Sequence, residues 1–184
     1  MATTKSKKSE AQKSRTPEQE GALKELFIDS LKDMYWAEKH LIKDLKKLAK
    51  AATAQELRLA FETHGTETEM QVQKLEQVFE LLGEKAVAKK CEAMAGLSKE
   101  AEELTESTEK GTEVRDVALI SAAQKVEHYE IASYGTMKTL AGVLGLVDAQ
   151  ALLEEILEEE KKTDVLLTEL AEGFINESAK SESE

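Results

Sequence analysis

The sequence predicts an all-α fold: four long helices, paired as two hairpins and joined by a long crossover in an up-down-down-up bundle. Three features point there. Only one proline occurs in 184 residues, at Pro17. Ala, Leu, Glu and Lys, all strong helix formers, dominate the chain, and strand-like alternation is nearly absent. Apolar residues recur at spacings of three and four over four separate stretches, the period of one buried helical face.

Breaks around residues 51–55, 83–85, 108–112 and 142–148 delimit the elements. The first helix runs from 17 to about 50, with Pro17 in its first turn, where a missing N–H is tolerated. Its stripe is Phe27, Leu31, Met34, Glu38, Leu41, Leu45 and Leu48. The second, about 53–82, stops before Gly83 and carries Leu57, Ala60, His64, Glu67, Gln71, Leu75, Val78 and Leu82. Residues 86–108 read as one short helix, or as two half-helices around Gly96. The third long helix, 112–144, presents Ile120, Ala123, Glu127, Glu130, Tyr134, Met137 and Ala141. The fourth, about 147–176, presents Leu153, Ile156, Glu160, Asp164, Leu167, Leu170 and Phe174, with Thr163 close by.

A helix of about 30 residues is roughly 45 Å long, so the middle pair needs a crossover of this size, whereas short links make antiparallel hairpins. The expected organisation is one domain at 17–176, flanked by a flexible basic tail at 1–16 and a flexible polar tail at 177–184.

The balance of 37 acidic against 25 basic side chains gives a formal charge of −12, which disfavours DNA and anionic membranes as partners. The basic tail is the exception, with Lys5, Lys7, Lys8, Lys13 and Arg15 against Glu10. No apolar stretch is long enough to span a bilayer, and no hydrophobic signal core opens the chain, so cytoplasmic residence is expected. A single cysteine, Cys91, permits no internal disulfide and reads as a packing residue.

Polar residues interrupt all four stripes at mid-length. A carboxylate moved into a dry interior costs several kcal/mol unless it is paired, protonated or bound to metal, and grouped carboxylates raise one another's pKa. Lys and Arg mostly fall outside the stripes, so divalent cations are the natural counter-charge. Bundles of this shape hold two irons or manganeses between acids of all four helices.

The candidate ligands are Glu38, His64, Glu67, Glu127, Glu130, Glu160 and Asp164. Glu38 is the lone acid on its stripe, its rival reading being a surface position. His64 lies three residues before Glu67, so both can reach one cavity, or His64 packs as a hydrogen-bonded core histidine. Glu127 and Glu130 form a Glu-x-x-Glu pair, while His128, about 100° away, belongs to a helix interface. Tyr129 or Tyr134 could orient a carboxylate or merely pack. Gln71, one turn beyond Glu67, can support a ligand. On the fourth helix Glu160 and Asp164 share an interior line, with Glu159 the alternative if the phase slips by one residue. Asp164 could instead orient His64.

The stretches FIDSLKDMYWAEKHLIKDLKKLA (27–49), FETHGTETEMQVQKLEQVFELLG (61–83), CEAMAGL (91–97), AAQKVEHYEIASYGTMKTLA (122–141) and LLEEILEEEKKTDVLLTELA (152–171) together resemble the ferritin-like stress proteins of the YciE/YciF type over residues 22–174. The resemblance implies a cytosolic, dimeric ferritin-like bundle with a carboxylate-bridged di-metal centre and an association with stress. Glu38, Glu67, Glu127, Glu130 and Glu160 would be its central, catalytic carboxylates. Two divalent ions are implied, iron first, with manganese or zinc compatible with the donor set. Compared with rubrerythrin-like di-iron proteins, Asp164 stands where they have histidine, and the Glu67 segment lacks its following imidazole, which His64 would replace from the other side. Ferroxidase or peroxide reduction with an external electron donor is the implied activity. Non-catalytic metal binding, or a structural stress protein, is the competing expectation.

Overall fold

The computed structural model describes residues 17–182, with side chains from residue 21 onward. Residues 1–16, read above as a basic tail, lie outside the described residues, as do residues 183–184. The described chain is all-helical: α1 (Pro17–Ala51), α2 (Gln55–Leu81), α3 (Glu92–Ser107), α4 (Glu113–Val143), α5 (Val147–Leu170), a π-helical turn (Ala171–Ile175) and α6 (Asn176–Glu182).

Contacts between the helices fix the topology. Tyr35 donates to Glu76 at 2.6 Å and Lys46 pairs with Glu69 at 3.1 Å, so α1 and α2 run antiparallel. Lys138–Glu154 at 2.7 Å and His128–Asp164 at 3.2 Å make α4 and α5 the second hairpin. Lys74–Glu155 at 3.4 Å and His64–Thr163 at 3.4 Å set α2 against α5. α1 meets α4 with its C-terminal end at the start of α4, where Ala54 N donates to Asp116 at 2.6 Å. Going round the square α1–α2–α5–α4, every neighbour is antiparallel, which is the expected up-down-down-up, ferritin-like order.

The crossover returns along the bundle. Its extended start is pinned where Lys89 N donates to Lys32 O at 3.0 Å, and α3 then climbs beside α1, with Lys47–Glu102 at 2.6 Å. One helix passes straight through Gly96, so the two-half-helix alternative does not occur. The hairpin ends use glycine for its positive φ: at Gly83 (67°) and Gly145 (74°) the following amide reaches back five residues, Glu84 N to Phe79 O and Leu146 N to Ala141 O, both at 2.9 Å.

All of the α1 stripe is buried, and so is all of the α4 stripe. α5 departs from the expected line. Its buried face runs Leu153, Ile156, Glu160, Thr163 and Leu167, stepping by three after Glu160 and placing Thr163 where Asp164 was expected. The π-helical turn then adds a residue to the helical period, so Ile175 is buried and Phe174 is 37% exposed. The helix does not stop at residue 176. Buried Ala179 continues the apolar face, and the Glu182 carboxylate accepts from Glu113 N at 2.8 Å, capping α4.

Candidate metal centre

α1 contributes Glu38, α2 His64, α4 Glu127 and Glu130, and α5 Glu160. Each continues its helix's buried face, and each is at most 2% exposed. Glu38 therefore does not take the surface position that was its rival reading. His64, Glu127, Glu130 and Glu160 each offer a ligand atom, and the four atoms lie within 4.8 Å of one another. The described residues therefore gather one His/Glu cluster capable of holding a metal ion.

Hydrogen bonding leaves this cluster open. Both carboxylate oxygens of Glu130, both of Glu160, Oε2 of Glu127 and of Glu38, and Nε2 of His64 have no hydrogen-bond partner among the described residues. Buried polar atoms are nearly always satisfied, so this concentration at one depth calls for a ligand. His64 Nε2 stands 3.3 Å from Glu127 Oε1 and 3.7 Å from Glu160 Oε2, close enough to attract but not aligned as hydrogen bonds. The donor set of oxygens and one imidazole nitrogen suits iron, manganese or zinc.

The surroundings orient these ligands. Tyr134, fully buried, donates its hydroxyl to Glu38 Oε1, leaving Oε2 free to turn inward. Thr163 Oγ1 gives its one proton to Glu159 O at 3.3 Å and stands 3.4 Å from His64 Nδ1. With that proton engaged by Glu159 O, it accepts from the imidazole Nδ1–H, which leaves Nε2 facing the acids, a metal ligand once its own proton is released.

Without a cation the charges strain against one another. Burial pushes the Glu38 carboxyl up to about 7, although the Tyr134 hydrogen bond pulls it down. Burial, reinforced by repulsion from Glu38, Glu160 and Glu127, holds Glu130 well above the usual carboxylate range. Glu160 is raised in the same way, against the attraction of His64. Burial opposes a charge on His64, yet Glu127, Glu67 and Glu160 carry its pKa well above that of free imidazole.

Two expected ligands stand apart. Glu67 lies on the outer side of His64, its Oε2 3.7 Å from Nδ1, with its side chain 36% exposed; His64 holds its pKa below the ordinary value. Asp164 turns to the α4 side, 3.3 Å from Gln124 Nε2 and 3.2 Å from His128 Nε2, so Thr163 rather than Asp164 orients His64. Glu159 pairs with Lys74 at 2.7 Å and accepts from Gln71 at 3.2 Å. Tyr129 donates to Asp33 at 3.0 Å and meets Cys91 Sγ at 3.0 Å, fastening the crossover to α1 and α4. The sequence reading missed Thr163 as the partner of His64. Its one signal was a small polar residue on the α5 stripe, one position from Asp164.

A family described as "Domain of unknown function (DUF892)" matches residues 22–180. The chain is 51% identical over 162 residues to Protein YciF of Escherichia coli K12, covering 88% of this chain and 97% of that protein. The crystal structure of the E. coli stress protein YciF matches with a TM-score of 0.80 at 53% identity, over 84% of this chain and 97% of that one. YcfI, a putative structural protein from Rhodopseudomonas palustris, matches at 0.76 and 39% identity, over 79% and 92% of the two chains. At 22% identity, a Xanthomonas campestris protein shares the fold with a TM-score of 0.68, over 88% of this chain and 99% of that one. The chain belongs to the DUF892 family, the ferritin-like stress proteins of the YciE/YciF type.

Proposed function

We propose that the protein is a di-metal, iron-preferring oxidoreductase of the ferritin-like class that consumes oxygen or peroxide during stress. The observation that carries this is the set of buried, unpartnered ligand atoms on Glu38, His64, Glu127, Glu130 and Glu160, of which all but Glu38 bring a ligand atom within 4.8 Å of one another. Glu127, Glu130, Glu160 and His64 would hold one ion, and Glu38 together with the Glu127/Glu130 pair a second. Bound iron would supply the one-electron steps that reduce the oxidant. The chain's own part is to give up the protons that Glu38, Glu130 and Glu160 retain without a cation, to hold Glu38 through Tyr134, and to keep bulk water out with the apolar layers above and below.

One cysteine cannot build a Cys₄ rubredoxin-like site, so reducing equivalents would come from an external donor, and the free thiol suits a cytoplasmic setting. A homodimer completes the reading. Anaerobic titration with ferrous iron, followed by oxygen or peroxide, is expected to give about two oxidised irons per chain. Lack of saturable iron binding would overturn the proposal. A non-catalytic single-ion site is the second reading. The separation of Glu67 and Asp164 from the cluster favours it, and saturation at one ion without turnover would select it.

A further inference from the structure

We infer that dioxygen reaches the centre through the groove between α2 and α5, with the His64 imidazole as the partition it must pass. The inference rests on the proposed oxidoreductase reading and names its oxidant and its path.

The groove has a volume of about 450 Å³ and is walled by Leu59, Ala60, Leu166 and Leu170, with Glu67 and Lys162 also along it. Leu59 is 51% and Leu166 40% exposed, so apolar walls reach the mouth, where Glu56, Glu67 and Lys162 add charge. Its floor includes His64 and Thr163. His64 is thus shared by two spaces: its Nδ1 edge meets Thr163 and Glu67 on the groove side, and its Nε2 edge meets Glu127 and Glu160 inside. The imidazole thus stands between the groove and the Glu127 and Glu160 carboxylates.

The chemistry of the walls selects the solute. A small apolar gas gains contact with leucine and alanine walls that offer water no hydrogen bonds, as xenon does with the walls of apolar cavities. The cavity between α1 and α4 contrasts with it. Asp29, Ser30, Asp33, Ser133 and Thr136 line it, it stops at buried Met34 and Met137, and it includes none of the four clustered residues.

Metal-free, methyl-labelled full-length protein under dissolved oxygen pressure would test this by paramagnetic relaxation. The Ala60 methyl and the His64 ring protons, which are buried, are expected to relax at least about threefold faster than the buried Leu31 and Leu153 methyls. Leu166→Trp, at the rim, and Ala60→Phe, deeper in, should each abolish the enhancement at His64, whereas Thr136→Trp in the opposite cavity should leave it. Two variants guard against one failing to fold. In iron-loaded protein Leu166→Trp should slow oxidation by oxygen at least about threefold, with ferrous affinity measured calorimetrically within about twofold of wild type. Uniform relaxation across buried methyls, or undiminished enhancement at His64 in both groove variants, would overturn the inference. Lost iron affinity in the wild type would instead overturn the function proposed above, because the relaxation experiment needs no metal.

Discussion

Asp116 and Glu130 are both completely buried on α4, yet their surroundings are opposite. Asp116 lies at the end of the bundle, where one carboxylate oxygen accepts from Thr53 N at 2.8 Å and the other from Ala54 N at 2.6 Å. It closes the turn between α1 and α2 and needs nothing more. Glu130 lies at mid-bundle with neither oxygen partnered among the described residues. Burial alone therefore does not separate a structural acid from a ligand-seeking one. Hydrogen-bond satisfaction does, because an unpaired buried carboxylate keeps its whole desolvation penalty.

Substitution should break the two acids in opposite ways. Glu130→Gln is expected to lower metal affinity on the order of 100-fold in calorimetric titration while leaving the metal-free protein as stable or more so, because a neutral amide needs no proton uptake to sit in that buried place. Asp116→Ala should do the reverse. Two backbone N–H groups lose their acceptor, at a cost of about 3 kcal/mol and a melting point lower by roughly 10 °C, with metal stoichiometry retained in the folded protein.

The pH response of the metal-free protein sharpens the contrast. The folded Glu38 carboxyl holds its proton up to about 7, against 4.5 for the ordinary group, so the unfolded chain releases protons that the folded state retains. Its stability contribution is complete below pH 4.5 and is lost as pH rises to about 7, a change on the order of 3 kcal/mol. Glu130 and Glu160 shift in the same direction, and His64, with its pKa also raised, loses stabilisation as pH rises too. Glu67, shifted down, acts only below the ordinary carboxylate pKa. Melting curves should therefore fall from pH 5 to 8 without metal, and the fall should flatten in saturating metal. An unchanged profile in Glu38→Gln/Glu130→Gln would contradict this origin.

Smaller effects follow further out. Tyr134→Phe, which frees Glu38 Oε1, should weaken metal binding about tenfold in the same titration. Asp164→Asn should leave affinity within about twofold, since its partners are Gln124 and His128.

Much of this was legible in the sequence where period alone decides. The Phe27 to Leu48 stripe on α1 and the Ile120 to Ala141 stripe on α4 face inward as their spacing requires, and that phase buries Glu38, Glu127 and Glu130. It was less legible where the period changes. α5 steps by three at Thr163, and the π-helical turn Ala171–Ile175 moves the buried position from Phe174 to Ile175. Glu67 keeps the stripe's spacing but stays part-exposed, because the buried face of α2 steps by four from His64 to Thr68, and then on to Gln71. Asp116 gave no signal at all. An acid in a helix's first turn is ordinary, and the turn it closes lies 62 residues away.

The central claim is that the unpartnered side chains of Glu38, His64, Glu127, Glu130 and Glu160 surround cations. A crystal of the iron-loaded protein, measured on both sides of the iron absorption edge, tests it directly. The account predicts two anomalous peaks among those five side chains, about 3.5–4 Å apart. Water or a closed hydrogen-bonded network there, with iron absent or confined to the surface, would contradict it.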